Sequence, residues 1–358
     1  MYRLIFNKLI NGIATLFGVA TLVFFLFTIL PGDPAQMMLD QRADSDQLKV
    51  LRAKYGFDLP KFKQYVYYIN DLSIISIHSS EKEDFNFYNK KIYGGLKIIN
   101  YNNFLIVIKL PFLRTSYQRK GKKVLSIIAE TLPNTIVLAL SSISIAIFFG
   151  VLFGIISGYY KDHFIDKFLQ LYSTLGMSLP SFFSAILFSW FFGFVLHDYT
   201  NLNINGSLYE LDDYGENYNL HLKNLILPSI VLGIRPIAII IQLMRSELID
   251  VLSQEYIKTA KAKGLTIFKI IFFHAIKNSL NPVITAISGW FASLLAGAVF
   301  VEYIFGWRGL GKEIVDSLNS LDIPVVMGSV LVIAFLFILI NIIVDILYSY
   351  LDPKVKLK

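Results

Sequence analysis

The chain has 358 residues, of which 55% are hydrophobic and only 16% charged. Soluble domains carry about a quarter charged residues, so this composition excludes an ordinary soluble protein and places the chain in a membrane. The net charge of +7 does not mark a nucleic-acid binder, because the basic residues gather at the ends of apolar runs; the absence of cysteine excludes disulfides and thiolate metal sites.

Arg3 and Lys8 precede an apolar run over 9–30. That run is about 22 residues long, longer than a signal-peptide core, and Pro31-Gly32-Asp33-Pro34 stands where a cleavage site would be. It reads as an uncleaved first span. Five further runs reach the roughly 20 residues needed to cross the hydrocarbon core: 133–158, 168–196, 225–248, 279–302 and 325–350. Arg235-Pro236 interrupts the fourth.

Between the first two spans, Leu48, Leu51 and Tyr55 recur at helical spacing and Gly56 is a stop. Pro60 opens a second helix carrying Tyr65, Tyr68 and Ile69. From Phe85 to Phe112 the texture changes, and Leu105-Ile106-Val107-Ile108 is strand-like. A solvated, partly ordered loop is the competing reading of that stretch.

With the N-terminus inside, the inner segments carry about thirteen Lys and Arg and the short outer loops about three. The asymmetry predicts six spans with both termini in the cytoplasm. Within the spans, Gly150, Gly154 and Gly158 are spaced four apart, as are Gly289, Ser293 and Gly297; small residues at this spacing let helix backbones approach closely. Such rows serve either packing inside one chain or a moving interface along a pathway. Charges within spans are few: Arg235 and Asp345 either form structural pairs or line a wet cavity. Arg245 and Glu247 lie near the inner interface, where long side chains snorkel.

No catalytic or metal constellation stands out. Gly306 to Lys312 has phosphate-loop spacing, but Glu313 replaces the Ser or Thr that would hold magnesium and no strand precedes it. The chain therefore has no ATP site of its own. The five histidines make no paired spacing, and Asp162, His163 and Asp166 read as a solvated cytoplasmic turn rather than a metal site.

The inner loop 249–278 carries more information. Ile257, Ala260, Lys261 and Gly264 share a helical face. Ala260 is small enough for a partner to come close, and Gly264 can take a positive φ and end the helix. A second helix opens at Leu265-Thr266-Ile267-Phe268. A docking helix for a soluble partner and a basic helix resting on anionic lipid both fit this pattern.

These residues resemble the EAA loop of ABC importer permeases, in the form found in dipeptide and oligopeptide permeases. Of the short motif, only Ala260 and Gly264 match strictly, but the run Glu255-Tyr256-Ile257-Lys258-Thr259-Ala260-Lys261-Ala262-Lys263-Gly264-Leu265 is close to the peptide-permease form. Leu30-Pro31-Gly32-Asp33-Pro34-Ala35, Leu51 to Gly56, Ser178-Leu179-Pro180-Ser181-Phe182, Val301-Glu302 to Gly311, Asn341 to Tyr348 and Leu351-Asp352-Pro353 also resemble the family. Arg308 stands where a Pro is usual.

The resemblance implies an all-α membrane protein with the type I ABC importer fold of six spans. Residues 1–30 are then the first helix and 31–130 an extracytoplasmic segment, with an insertion near 75–110 of mixed α/β texture. Residues 131–350 form a five-span core containing the loop 249–278, and 351–358 a cytoplasmic tail. The implied function is a pore-forming subunit in the bacterial inner membrane, not an enzyme. Its implied partners are a second permease as hetero- or homodimer, two cytoplasmic ATPases that hold ATP-Mg, and an extracytoplasmic solute-binding protein. Glu255, Tyr256, Ile257, Thr259, Ala260, Lys261, Lys263 and Gly264 would meet the ATPase. Gly150, Gly154, Gly158, Pro180, Gly289, Ser293 and Gly297 would serve helix packing or the pathway. The cargo stays open between peptides and relatives' cargoes such as nickel chelates, glutathione or sugar conjugates. A membrane sensor or scaffold and an intramembrane enzyme are the competing classes.

Overall fold

A computed structural model describes residues 2–29, 34–38, 45–82, 84–119, 121–212 and 214–351. Leu30 to Asp33, the side chain of Asp345, the surroundings of Gly297 and the residues from Asp352 onward lie outside the described residues.

Among the described residues, four helices are long and apolar enough to cross a membrane: Phe6–Thr28, Val124–Tyr159, Lys223–Leu252 and Ile323–Val344. Two bent pairs raise this to six if each counts as one crossing: Phe164–Ser178 with Ser181–Val195, bent by 107°, and Ile267–Leu280 with Pro282–Leu295, bent by 53°. The continuous span expected over 168–196 is therefore broken. Leu179 and Pro180 are both extended (ψ 129° and 139°), and a proline cannot donate to the preceding turn while it pushes its neighbour out of the helical region. Pro236 has the opposite outcome. The helix Lys223–Leu252 runs through both Pro228 and Pro236. Packing holds it: 72% of its apolar window is buried, far more than in the other three long helices.

The chain divides into two compact units, one of residues 1–8, 131–312 and 336–358, the other of 9–130 and 313–335. In the first, Leu138, Ile143, Ile237, Ile240, Ile241, Met244, Phe305 and Trp307 belong to one buried core. The glycine row of the helix Val124–Tyr159 lies on the helix Lys223–Leu252, the central helix of this unit. A methyl group on Gly150 would come within 2.7 Å of Ile240, and one on Gly154 within 2.6 Å of Met244. Gly150 and Gly154 thus pack closely against a helix of the same chain. Gly154→Val should overpack the contact by about 1–3 kcal/mol or more and lower the melting temperature of the solubilised protein. An unchanged melting curve would contradict the contact.

In the second unit, Ala20, Val23 and Phe24 of the first helix pack with Tyr68, Met327 and Leu331. The expected helices appear as Ser45–Tyr55, followed by Gly56 at φ +69°, and Lys61–Leu72. The stretch read as strand or loose loop is an antiparallel sheet of β1 (Ile75–Ser79), β2 (Leu96–Tyr101) and β3 (Phe104–Ile108) in the order β1-β3-β2. Asn102 turns the β2–β3 hairpin at φ +49°, a conformation asparagine tolerates. The inner face of the sheet holds Leu105 and Val107 against Tyr88 and Tyr93. His78 lies 4.4 Å from the Tyr93 ring, and burial, with Lys109 nearby, pushes its pKa below the ordinary value. The outer face is apolar and exposed. Its rows are Ile75, Ile108 and Leu96, then Ile77, Ile106 and Ile99, and all but the half-buried Ile106 stand open.

Candidate coupling site

The inner loop folds as a short helix set between two long ones. The central helix ends at Leu252, Gln254 is extended (φ −71°, ψ 150°), and a new helix runs Glu255–Ala262. Glu255 in its first turn and Lys261 in its last suit the helix dipole. At the far end Lys263 donates to the Thr259 carbonyl, and Gly264, at φ +75°, donates to that of Lys261. This is a left-handed stop, the form that glycine adopts without a Cβ penalty. Thr266 is extended, and the chain then re-enters a helical run from Ile267, with a π-helical stretch Ile270–Ala275, to Gly297.

Burial sorts the predicted residues into two groups. Ile257 and Ala260 are buried against Ile270, with Leu252 and Leu265 at the edges. Glu255, Tyr256, Thr259, Lys261, Lys263 and Gly264 are exposed. This corrects two expectations. Ala260 faces its own chain, so its small size admits Ile270 rather than a partner. Lys261 leaves the shared face, because a buried stripe only two residues wide is centred between Ile257 and Ala260, about 70° away at 100° per residue. Tyr256 accepts a hydrogen bond of 2.9 Å from Asn278, which ties the short helix to the following one. The Glu255–Lys258 pair at 2.7 Å is open to solvent and worth at most about 1 kcal/mol.

A buried ion pair lies in the same unit. Arg245 donates twice to Asp166, from Nε at 2.6 Å and Nη2 at 2.7 Å. Ser157 Oγ (2.6 Å) and the Asp162 amide (2.8 Å) donate to the same carboxylate. The expected solvated turn is thus wrong for Asp166, which is buried, and Arg245 is clamped rather than snorkelling. Residue spacing gave no signal for this pairing, since the partners are 79 positions apart. Among the described residues, no group of His, Cys, Asp and Glu could hold a metal ion.

The phosphate-loop look-alike encloses an internal carboxyl group instead. Glu302, fully buried, accepts hydrogen bonds from the amides of Gly311 (2.7 Å) and Lys312 (3.1 Å). Trp307 is buried beside it and donates to the Asn134 carbonyl. Gly309 has no room for a Cβ because the Glu302 carboxylate occupies it, and Gly311 has none because the Val299 backbone and the same carboxylate do. Of the remaining candidates, Pro180 marks the 107° bend, Gly158 abuts Leu248, and Gly289 faces open space. Ser293 is exposed.

Two family models match this sequence: the binding-protein-dependent transport system inner membrane component over residues 150–357, and the N-terminal part of such a membrane component over residues 1–82. The chain belongs to this family. Among curated relatives, this permease is 31% identical to the dipeptide transport system permease protein DppB of Escherichia coli, over the full length of both chains. It is 30% identical to DppB of Alkalihalophilus pseudofirmus, over 98% of each chain. It is also 30% identical to the oligopeptide transport system permease protein AppB of Bacillus subtilis, over 99% of this chain and all of that one. A solved chain of the MetNI methionine ABC transporter, in an inward-facing conformation, superposes with a TM-score of 0.50 at 12% identity. It covers 64% of the permease and 98% of that chain. The likeness shows the fold alone, a type I ABC importer transmembrane fold, as the motifs imply. The permease is a multi-pass membrane protein and a transport component.

Proposed function

We propose that this chain is the pore-forming subunit of an ATP-driven importer of dipeptides or oligopeptides. One observation carries the reading: curated peptide permeases align with it from end to end at about 30% identity. In this reading the exposed side of Glu255–Ala262 docks on a cytoplasmic ATPase, and closure of an ATPase pair around ATP-Mg moves the helix and opens the pore. A second permease, as hetero- or homodimer, completes the pore. The direct test is uptake of a labelled dipeptide by cells with and without this chain, together with recovery of an ATPase pair on the tagged chain. Uptake that is indifferent to the chain would refute the proposal.

Both bent helix pairs cross once in this account, giving six crossings with both termini in the cytoplasm. Reporters placed after Lys354 and within 249–278 should read cytoplasmic, and one near Lys90 extracytoplasmic. A cytoplasmic signal at Lys90 would overturn the topology.

The β1–β3 sheet then stands on the side where the solute-binding protein arrives. Its outer face is a contiguous apolar surface, the kind that marks a docking site. We assign it to that protein. Ile77→Asp, at an exposed position, should leave membrane level unchanged and raise the concentration of loaded binding protein needed for half-maximal uptake by about tenfold. An unchanged concentration dependence would show that the face does not dock it.

A further inference from the structure

Arg235 has a setting that packing does not explain. It lies 12 residues into the 30-residue helix Lys223–Leu252. At 1.5 Å per residue that is roughly 18 Å from one end, close to the middle. Its neighbours Ile234, Pro236, Ile237 and Ala238 are all buried, yet its own side chain is exposed. It makes no hydrogen bond or ion pair among the described residues. A permanent cation at mid-depth is costly, and such residues face wet cavities or a partner rather than lipid.

The position on the helix narrows the role. One face of this helix is covered by the glycine row, on Ile240, Met244 and Leu248. The next is covered by Gly176, against Ile234 and Ala238. Arg235 lies on neither. Gln242 and Ser246 follow it at intervals of seven and eleven residues, within about 20° of the same line. Gln242 is half-buried and Ser246 exposed, so polar side chains recur beside Arg235 toward the inner end of the helix. The helix Ile276–Gly297 packs on the central helix, leaving Gly289 in open space and Ser293 exposed.

We propose that Arg235 receives the free C-terminal carboxylate of the peptide as it passes through the pore. This rests on the peptide-importer reading. A carboxylate is the group that every unmodified peptide offers whatever its side chains, and a guanidinium holds it in a two-point, charge-assisted fork. Gln242 and Ser246 continue the line as neutral donors and acceptors for peptide amides. One charge on an open face holds cargo weakly enough to release it, as conduction requires.

The test uses the complete transporter in proteoliposomes with saturating loaded binding protein. It compares trialanine with trialanine amide in the wild type, Arg235→Gln and Arg235→Lys. Arg235→Gln should lower maximal trialanine uptake about tenfold, while ATP hydrolysis stimulated by the loaded binding protein stays within about twofold. Arg235→Lys should recover part of the uptake, and any amide uptake should not change. Three results overturn the proposal: unchanged trialanine uptake in Arg235→Gln, equal losses for both peptides, or a parallel fall in stimulated hydrolysis. Equal losses would indicate an anchor to lipid phosphate or to a partner's carboxylate. Failure of the wild type to carry either peptide would refute the peptide reading itself.

Discussion

Gly264→Val is expected to abolish uptake and ATPase recovery while membrane level stays normal. Gly264 has φ +75° and nothing within 4 Å of where a Cβ would sit. No packing is disturbed by a side chain there; the cost is conformational. A left-handed residue costs about 1–2 kcal/mol for an ordinary side chain and more for a β-branched one. The stop would relax, Leu265 and Thr266 would change direction, and the short helix would lose its seat on Ile270. Gly264→Asn, which tolerates the same φ, should retain most activity. Equal loss in Asn and Val variants would mean that the residue is needed for something other than its backbone. Ala260→Trp should also fail, by overpacking of about 1–3 kcal/mol against Ile270, and so says nothing about docking.

Asp166→Ala should strongly destabilise the chain's first compact unit. It strands Arg245, whose side chain is 24% exposed, beside the vacated site of a carboxylate that is only 3% exposed. Removing one partner of such a pair costs about 3–5 kcal/mol, because the other charge stays desolvated. Membrane level and the melting temperature of the solubilised complex should both fall. Replacing both partners, as Asp166→Leu with Arg245→Met, should recover a large part of the loss, since no uncompensated charge remains. Losses that simply add in the double variant would show that the two residues act independently.

The apolar runs were legible because a crossing helix must be long and apolar whatever surrounds it. The bend at Pro180 was not, since the same proline chemistry that breaks the helix there is tolerated at Pro236, and tertiary burial decides between them. Gly264 was legible because a glycine closing a short amphipathic run has few other uses. The orientation of Ala260 was not, because a small residue on a helix face can admit either a partner or its own chain. Sequence spacing equally hid the Asp166–Arg245 pair, which depends on how two helices lie side by side. The sheet showed one strand-like run; β2, with Lys97, Asn100 and Tyr101, lacks a clean alternation, and β1 alternates but turns its apolar Ile75 and Ile77 outward and its polar Ser76 and His78 inward, the reverse of the usual half-buried pattern.

The central claim is that the exposed face of Glu255–Ala262 meets an ATPase. The chain contains no cysteine, so each introduced thiol is unique. Thr259→Cys is exposed and Ile257→Cys fully buried, two positions apart on the same short helix. In intact membranes holding the whole transporter, a short bifunctional thiol-to-amine reagent should join Thr259→Cys to the ATPase subunit. The same reagent should leave Ile257→Cys unlinked. A helix resting on lipid would instead leave Thr259→Cys without a protein adduct and open to a membrane-confined thiol probe, and that result would contradict the account.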